Sequence, residues 1–133
     1  MTCLSYVARR AFAAALLSFA AFAIHAETSA PAAPPAEQKL IEELIHEVGQ
    51  MHDVVFIRNG TEYSAQDAQS HLRDKLDYFK DDIHTAEDFI RLCATRSEMS
   101  GQAYQVRDAS GHVQDSSAFL KARLDRLRQA AKH

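Results

Sequence analysis

The segment VVFIRNGTEY, residues 54–63, decides the fold of this chain. Its first half is β-branched and aromatic, a composition typical of a strand. Asn59 and Gly60 suit the two central positions of a type I′ turn, where both residues need positive φ. The segment is therefore predicted to be an antiparallel hairpin. The register that this turn imposes pairs Arg58 with Thr61, Ile57 with Glu62 and Phe56 with Tyr63.

Three amphipathic helices are predicted beside this hairpin, because apolar residues recur at helical spacing in three segments. The first begins near Glu37 and ends at Gly49. The second and third follow capping-box patterns that start at Ser64 and at Thr85, each with an Asp three residues later. The third helix is predicted to end near Ser97.

A second, weaker hairpin is predicted before the last helix. Tyr104 and Val106 alternate with polar residues, and Ser110-Gly111 marks a turn before Val113. The last helix starts at Ser116. The order helix, hairpin, helix, helix, hairpin, helix predicts a single small α+β domain, in which about four helices pack with two short antiparallel β-hairpins.

The N-terminal region, residues 1–26, has the order of a cleavable secretory signal peptide. Arg9-Arg10 precedes an apolar run over residues 11–24, which is shorter than the roughly 20 residues of a membrane span. Cleavage is predicted after Ala26, with Ala23 as the second choice. We therefore expect a periplasmic protein with no stable membrane anchor after cleavage.

The mature chain is predicted to consist of a Pro/Ala-rich linker that buries nothing, residues 27–36, and the single α+β domain, residues 37–133. Loss of the two arginines would leave 13 basic and 18 acidic side chains and a net charge of −5. Nucleic-acid binding needs a positive surface and is not expected. Cys93 would be the one remaining cysteine, so we expect no internal disulfide and a monomer. Its position on an apolar helical stripe predicts a buried thiol.

Short motifs between Leu40 and Leu127 follow one another at defined spacings. They are Phe56-Ile57-Arg58-Asn59-Gly60, Tyr63 with Ala68, His71-Leu72-x-x-Lys75, Thr85-Ala86-Glu87-Asp88-Phe89-Ile90 and Ser97-x-x-Ser100-Gly101-x-x-Tyr104. Their order and spacing resemble the bacterial domain-of-unknown-function 5329 family. The resemblance implies a small exported protein, and it brings no established activity or cofactor.

The main candidate binding group consists of Arg58, His71, Lys75 and Glu87. His71 and Lys75 are four residues apart and share a helix face beside the apolar stripe. Glu87, in the first turn of the next helix, is expected to reach one of the other three. Such a group either forms a structural network of ion pairs and hydrogen bonds or binds an anion or a peptide. Catalysis by His71 or Glu87 as a general base is a further alternative, although a base alone does not make an enzyme.

Other polar residues complete the ligand-binding candidates. Ser97 and Ser100 either cap a helix or form an anion-binding turn. Asn59 and Tyr104 are further ligand-binding candidates. Tyr63, Tyr78 and Tyr104 either line a groove or pack their rings on the core with the hydroxyl in water. The histidines lack the spacing of metal ligands, so no metal site and no cofactor are expected.

These features predict a non-enzymatic binding or accessory module of the cell envelope. Its binding surface would be the first hairpin with the helix edge that carries His71 and Lys75. The partner would be an envelope protein, a peptide or a small anionic ligand. Two alternatives stay open: a small cell-envelope hydrolase that uses Glu87 and His71, and a purely structural partner of another envelope protein, which an exposed apolar patch would indicate.

Overall fold

The computed structural model describes residues 31–133. The predicted signal peptide, its cleavage after Ala26 and the first residues of the predicted linker lie outside this range. The described residues form four helices and four strands, so the predicted α+β class with four helices and two hairpins is confirmed. In chain order they are α1 Pro35–Gln50, β1 Val55–Arg58, β2 Thr61–Tyr63, α2 Ala65–Phe79, α3 Ala86–Cys93, β3 Gln105–Arg107, β4 Val113–Asp115 and α4 Ser116–Ala130.

The first hairpin has the predicted register. Phe56 pairs with Tyr63, Ile57 with Glu62, and Arg58 with Thr61. Asn59 has a φ of 51° and Gly60 a φ of 76°, so both turn residues take the left-handed conformation that a type I′ turn requires.

The two hairpins join into one antiparallel sheet of order β2-β1-β3-β4. The joint is the β1–β3 pair, in which Phe56 lies opposite Val106. Both side chains are buried and face the helices. Because alternate residues of a strand share a face, Arg58 points to the same side as Phe56. The sheet therefore presents a charged side chain towards the helical layer.

The core lies between this inner face of the sheet and the four helices. Each helix contributes side chains that are almost completely buried, as the predicted apolar stripes required. The largest of them are Phe89, Leu44, Ile45, Leu120, Leu124 and Val48. Among residues 31–133, no helix is long and apolar enough to cross a membrane.

Helix α1 begins at Pro35, two residues before the predicted start. Proline is favoured in the first helical turn, because its missing N–H would have no partner there and its φ already suits the helix. The preceding residues also pack on the domain. Ala33 is only 8% exposed, and His84 Nδ1 lies 2.9 Å from the carbonyl oxygen of Pro31. The prediction that the linker buries nothing is therefore wrong for this part.

Gly49 does not end helix α1, which continues to Gln50. The glycine is buried, and a Cβ at this position would lie 2.5 Å from Cδ of Gln69 in helix α2. Gln69 uses this approach to donate a hydrogen bond from Nε2 to the Ile45 carbonyl, at 3.2 Å. Gly49 thus lies at the contact between two helices, and the prediction that it ends helix α1 is wrong by one residue.

Helix α3 ends at Cys93, four residues before the predicted Ser97. The Thr95 hydroxyl donates to the Ile90 carbonyl at 2.9 Å and closes the last turn. The next residue, Arg96, forms an antiparallel bridge with Ala103. Because the chain is extended at Arg96, it cannot continue as a helix to Ser97.

Candidate functional site

A cleft of about 510 Å³ opens between the inner face of the first hairpin and helix α2. Most of the deeply buried side chains that line it are apolar: Phe56, Leu72, Cys93, Ala94 and Leu120. Polar side chains stand around them: Arg58, Glu62, Tyr63, Asp67, Ser70, His71, Asp74, Tyr104, Gln105 and Ser116. The cleft thus combines an apolar floor with a polar rim, which is the usual composition of a small-ligand site.

Arg58 is the cation of this cleft. Its Nη1 lies 3.1 Å from His71 Nδ1, and its Nη2 donates to the Tyr63 hydroxyl at 3.2 Å. The guanidinium also lies 5.0 Å from the centre of the Tyr63 ring. Within residues 31–133, Arg58 forms no ion pair with any carboxylate. Its charge is therefore fixed in position without being neutralised.

His71 links Arg58 to the second tyrosine of the cleft. Nη1 of Arg58 lies 3.1 Å from Nδ1 and 3.4 Å from Nε2 of His71, and Nε2 also lies 3.2 Å from the Tyr104 hydroxyl. Because a guanidinium only donates, the ring nitrogen that bonds Arg58 is the acceptor. Burial lowers the pKa of His71, and the positive charges of Arg58 and Lys75 lower it further. His71 is thus a neutral imidazole whose two nitrogens are both engaged.

The tyrosines of the candidate groove separate into two kinds. Tyr63 and Tyr104 line the cleft, as proposed from the sequence. Tyr78 does not, because it lies about two helical turns beyond His71; its side chain is 81% exposed and packs edge-on against Phe79.

Lys75 is buried behind the cleft and does not line it. Its ammonium donates to the carbonyl of Arg96 at 3.3 Å and lies 3.7 Å from Oε1 of Glu98. It also lies 5.4 Å from the centre of the Tyr104 ring. Burial lowers the pKa of Lys75, and Glu98 opposes that shift. Lys75 therefore holds the segment after helix α3 against helix α2, which is a structural role.

Glu87 does not join the other three candidates, so the predicted contact with Lys75, His71 or Arg58 is wrong. Its carboxylate accepts two hydrogen bonds from Arg128 of helix α4, one of them from Nη2 at 2.8 Å. These bonds lower the pKa of Glu87. The first turn of helix α3 faces α1 and α4 rather than the cleft. The Glu87–His71 pair that a hydrolase would use is therefore not assembled.

Ser97, Ser100 and Asn59 form a structural link between two turns. The backbone N–H of Gly101 donates to the Ser97 carbonyl at 2.8 Å and closes the first turn. The Ser100 hydroxyl then donates to Oδ1 of Asn59 at 2.5 Å, in the hairpin turn. Neither serine lines the cleft, and in the described part of the chain neither is hydrogen-bonded to a histidine or carboxylate. No nucleophile with a base is present here.

Three carboxylates at the rim were not identified from the sequence. Asp67 accepts from the Ser64 hydroxyl at 2.7 Å, and Glu62 forms an ion pair with Arg107 at 2.6 Å. For Asp74, no ion pair or side-chain hydrogen bond is present in residues 31–133. The helical spacing of two of them indicates their place beside His71. Asp67 and Asp74 stand four residues before and three residues after His71, and hence on its face of helix α2.

A cluster of metal ligands and a reactive thiol would be two other kinds of site in the described region. Residues 31–133 contain no group of three or more His, Cys, Asp or Glu side chains placed to hold a metal ion. Cys93 is fully buried, as predicted, and lies at the floor of the cleft; burial raises the pKa of its thiol to about 12. The thiol is therefore protonated at neutral pH, and only a thiolate is strongly nucleophilic.

Comparison with known proteins identifies the family. A family model described as a family of unknown function, DUF5329, matches residues 35–128. The chain belongs to this family, as the sequence motifs indicated. Uncharacterized protein YfeK of Salmonella typhimurium strain LT2 is 37% identical over 68 residues, which cover 51% of this chain and 57% of that protein. No solved structure matches the chain.

Proposed function

We propose that this protein is an exported, non-enzymatic binding module of the cell envelope, whose cleft captures a small ligand by an anionic group. The observation that supports the proposal is the position of the Arg58 guanidinium in the cleft. This guanidinium lines the cleft, is oriented by His71 and Tyr63, and has no carboxylate partner among residues 31–133. A planar guanidinium is the side chain best suited to hold a carboxylate or phosphate.

The cleft around Arg58 has the donors and the space that such a ligand needs. A guanidinium has five N–H groups, and the two contacts with His71 and Tyr63 leave others for a ligand. The Tyr63 hydroxyl accepts from Arg58, so its own hydrogen is free to donate to a ligand. A volume of about 510 Å³ also suits a small molecule, and the buried apolar side chains favour one with an apolar body.

Binding is favoured over hydrolysis by the positions of the candidate catalytic groups. Both ring nitrogens of His71 are engaged. His71 could therefore act as a general base only by breaking its contact with Arg58 or with Tyr104. Glu87 is held by Arg128 at the far end of helix α4. Ser97 and Ser100 belong to a turn outside the cleft. Recognition is the activity that this arrangement supports best.

The export part of the proposal rests on Arg9-Arg10, the apolar run after it and the small residues before Ala26. N-terminal sequencing of the protein from a periplasmic fraction tests it. The expected first residue is Glu27. A protein that keeps Met1 and stays with the cytoplasmic fraction would contradict both cleavage and location.

Binding is tested by NMR titration of the ¹⁵N-labelled mature protein with hexanoate, succinate and inorganic phosphate. We expect at least one of these anions to shift the amide resonances around the cleft, and Arg58→Gln to abolish the shifts. Arg73→Gln is the matched control, since Arg73 lies on helix α2, is exposed and pairs with Glu42 away from the cleft. If Arg58→Gln only lowers the melting temperature and leaves the shifts unchanged, the Arg58 network is structural and the proposal fails.

A further inference from the structure

The two walls of the cleft carry opposite charges. Arg58 stands on strand β1, and Asp74 stands on helix α2, one turn after the His71 that Arg58 contacts. Both residues line the cleft. Residues three apart on a helix have Cβ atoms roughly 5–6 Å apart, so Asp74 is a neighbour, on the surface of α2, of the His71 that Arg58 contacts. Arg58 and Asp74 do not neutralise each other, because the described ion pairs include none between them.

Asp74 differs from the other two acidic residues of the rim, which already have partners within residues 31–133. The carboxylate of Asp67 caps helix α2 through Ser64, and that of Glu62 is paired with Arg107. For Asp74, residues 31–133 provide neither an ion pair nor a side-chain hydrogen bond. A ligand bound at Arg58 would therefore meet one carboxylate that is still free to bind a cation.

From this juxtaposition we propose that the ligand is zwitterionic: a small amino carboxylate, of the class of amino acids and very short peptides. Its carboxylate binds Arg58, its ammonium binds Asp74, and its apolar portion lies over Leu72 and Phe56. This inference rests on the proposed function, and it specifies the ligand class for the same cleft.

Recognition by side chains, rather than by strand pairing, fits the short edges of the sheet. The edge strands β2 and β4 contain three residues each. A segment added to either edge would gain few backbone hydrogen bonds, whereas strand addition derives its affinity from a row of them. A long extended peptide is therefore a poor occupant, and a compact molecule held at its two charged ends is a good one.

The experiment compares matched ligands that differ only in the amine. The mature protein is titrated at low ionic strength with hexanoate and 6-aminohexanoate, and with butanoate and 4-aminobutanoate. We expect the amino carboxylate of at least one pair to bind about three- to fivefold more tightly, the range of a partly exposed charge pair. Asp74→Asn should remove that preference. Asp77→Asn is the matched control, because Asp77 is exposed on the same helix and does not line the cleft.

Reversal of the charge at Asp74 provides a second test, which does not depend on measuring a small loss of affinity. Asp74→Lys should reject 6-aminohexanoate and instead favour the dicarboxylate pimelate, while its melting temperature stays close to that of the parent. If Asp74→Asn keeps the amine preference while Arg58→Gln still abolishes binding, the zwitterion inference is wrong and the anion site stands. If neither hexanoate nor 6-aminohexanoate, nor any other anion of the two titrations, shifts the cleft resonances, the proposed function itself is overturned.

Discussion

The carboxylate of Glu37 accepts a hydrogen bond from the backbone N–H of Ala86, at 2.7 Å, across 49 positions of sequence. Ala86 is the first residue of helix α3, where backbone N–H groups have no partner within the helix. The same carboxylate lies 3.3 Å from Nη2 of Arg128. One side chain of helix α1 thus ties together the start of α3 and the last turns of α4.

Replacement of Glu37 by alanine should lower the free energy of unfolding by about 2 kcal/mol, because a charged hydrogen bond to a backbone donor is lost. Glu42→Ala is the control on the same helix. Its partner, Arg73, is exposed, so the loss should stay below about 1 kcal/mol. Urea unfolding monitored by circular dichroism measures both. Equal losses in the two variants would contradict the role assigned to Glu37.

Thr85→Ala should cost about 1 kcal/mol through loss of the cap of helix α3. The Thr85 hydroxyl accepts from the backbone N–H of Asp88 at 3.1 Å, and the Asp88 carboxylate accepts from the backbone N–H of Thr85. Helix α3 has only eight residues, four of them buried, so its stability depends strongly on this cap. Ser117→Ala in helix α4 is the control, since the hydrogen bonds of residues 31–133 include none from its hydroxyl. Similar melting temperatures for the two variants would argue against the capping box.

Gly49→Ala should leave stability nearly unchanged, because the gain of about 1 kcal/mol from alanine in a helix is offset by the loss of one hydrogen bond of about the same value. The added methyl would displace Gln69 and break its bond to the Ile45 carbonyl. In a Gln69→Ala background the same change should be stabilising. A double-mutant cycle by urea unfolding gives the coupling. An identical effect of Gly49→Ala in both backgrounds would show that the two residues do not interact.

Stability should fall as the pH drops below about 6.5, the ordinary pKa of histidine. Burial, Arg58 and Lys75 lower the pKa of folded His71, so the unfolded chain binds this proton first. The folded state therefore loses stability from about pH 6.5 downwards, until the folded group is protonated too. His71→Gln keeps a donor and an acceptor but does not titrate, so its unfolding midpoint should change less between pH 7 and pH 5. Parallel pH curves for the two proteins would contradict this assignment.

Local chemistry made the first hairpin predictable down to its register. Asn59 and Gly60 favour one turn type, and that turn admits one pairing of the flanking residues. The caps at Ser64 and Thr85 were predictable for the same reason, since each bond joins residues three apart. In these elements, the residues that determine the structure are neighbours in sequence.

The candidate site depended on contacts that the sequence does not encode locally. Helical periodicity placed Glu87 in the first turn of α3, but the direction of that turn depends on how α3 packs between α1 and α4. Glu87 consequently meets Arg128, 41 positions away. Lys75 was assigned to the right face of α2, but the segment that covers its ammonium, at Arg96, comes from beyond the next helix. Helical spacing places Asp74 beside His71, but its position at the cleft depends on how the hairpin packs against α2.

The joint between the hairpins also has a consequence for the time course of folding. Each hairpin closes a short loop, an event of about 1–10 μs. The β1–β3 pair instead joins residues about 50 positions apart, such as Val55 and Arg107, and closure of a long loop slows folding. We therefore expect the four-stranded sheet to complete late, after the intervening helices have condensed. The cleft beside Arg58 would then be among the last features to appear in refolding and among the first to be lost when the sheet opens.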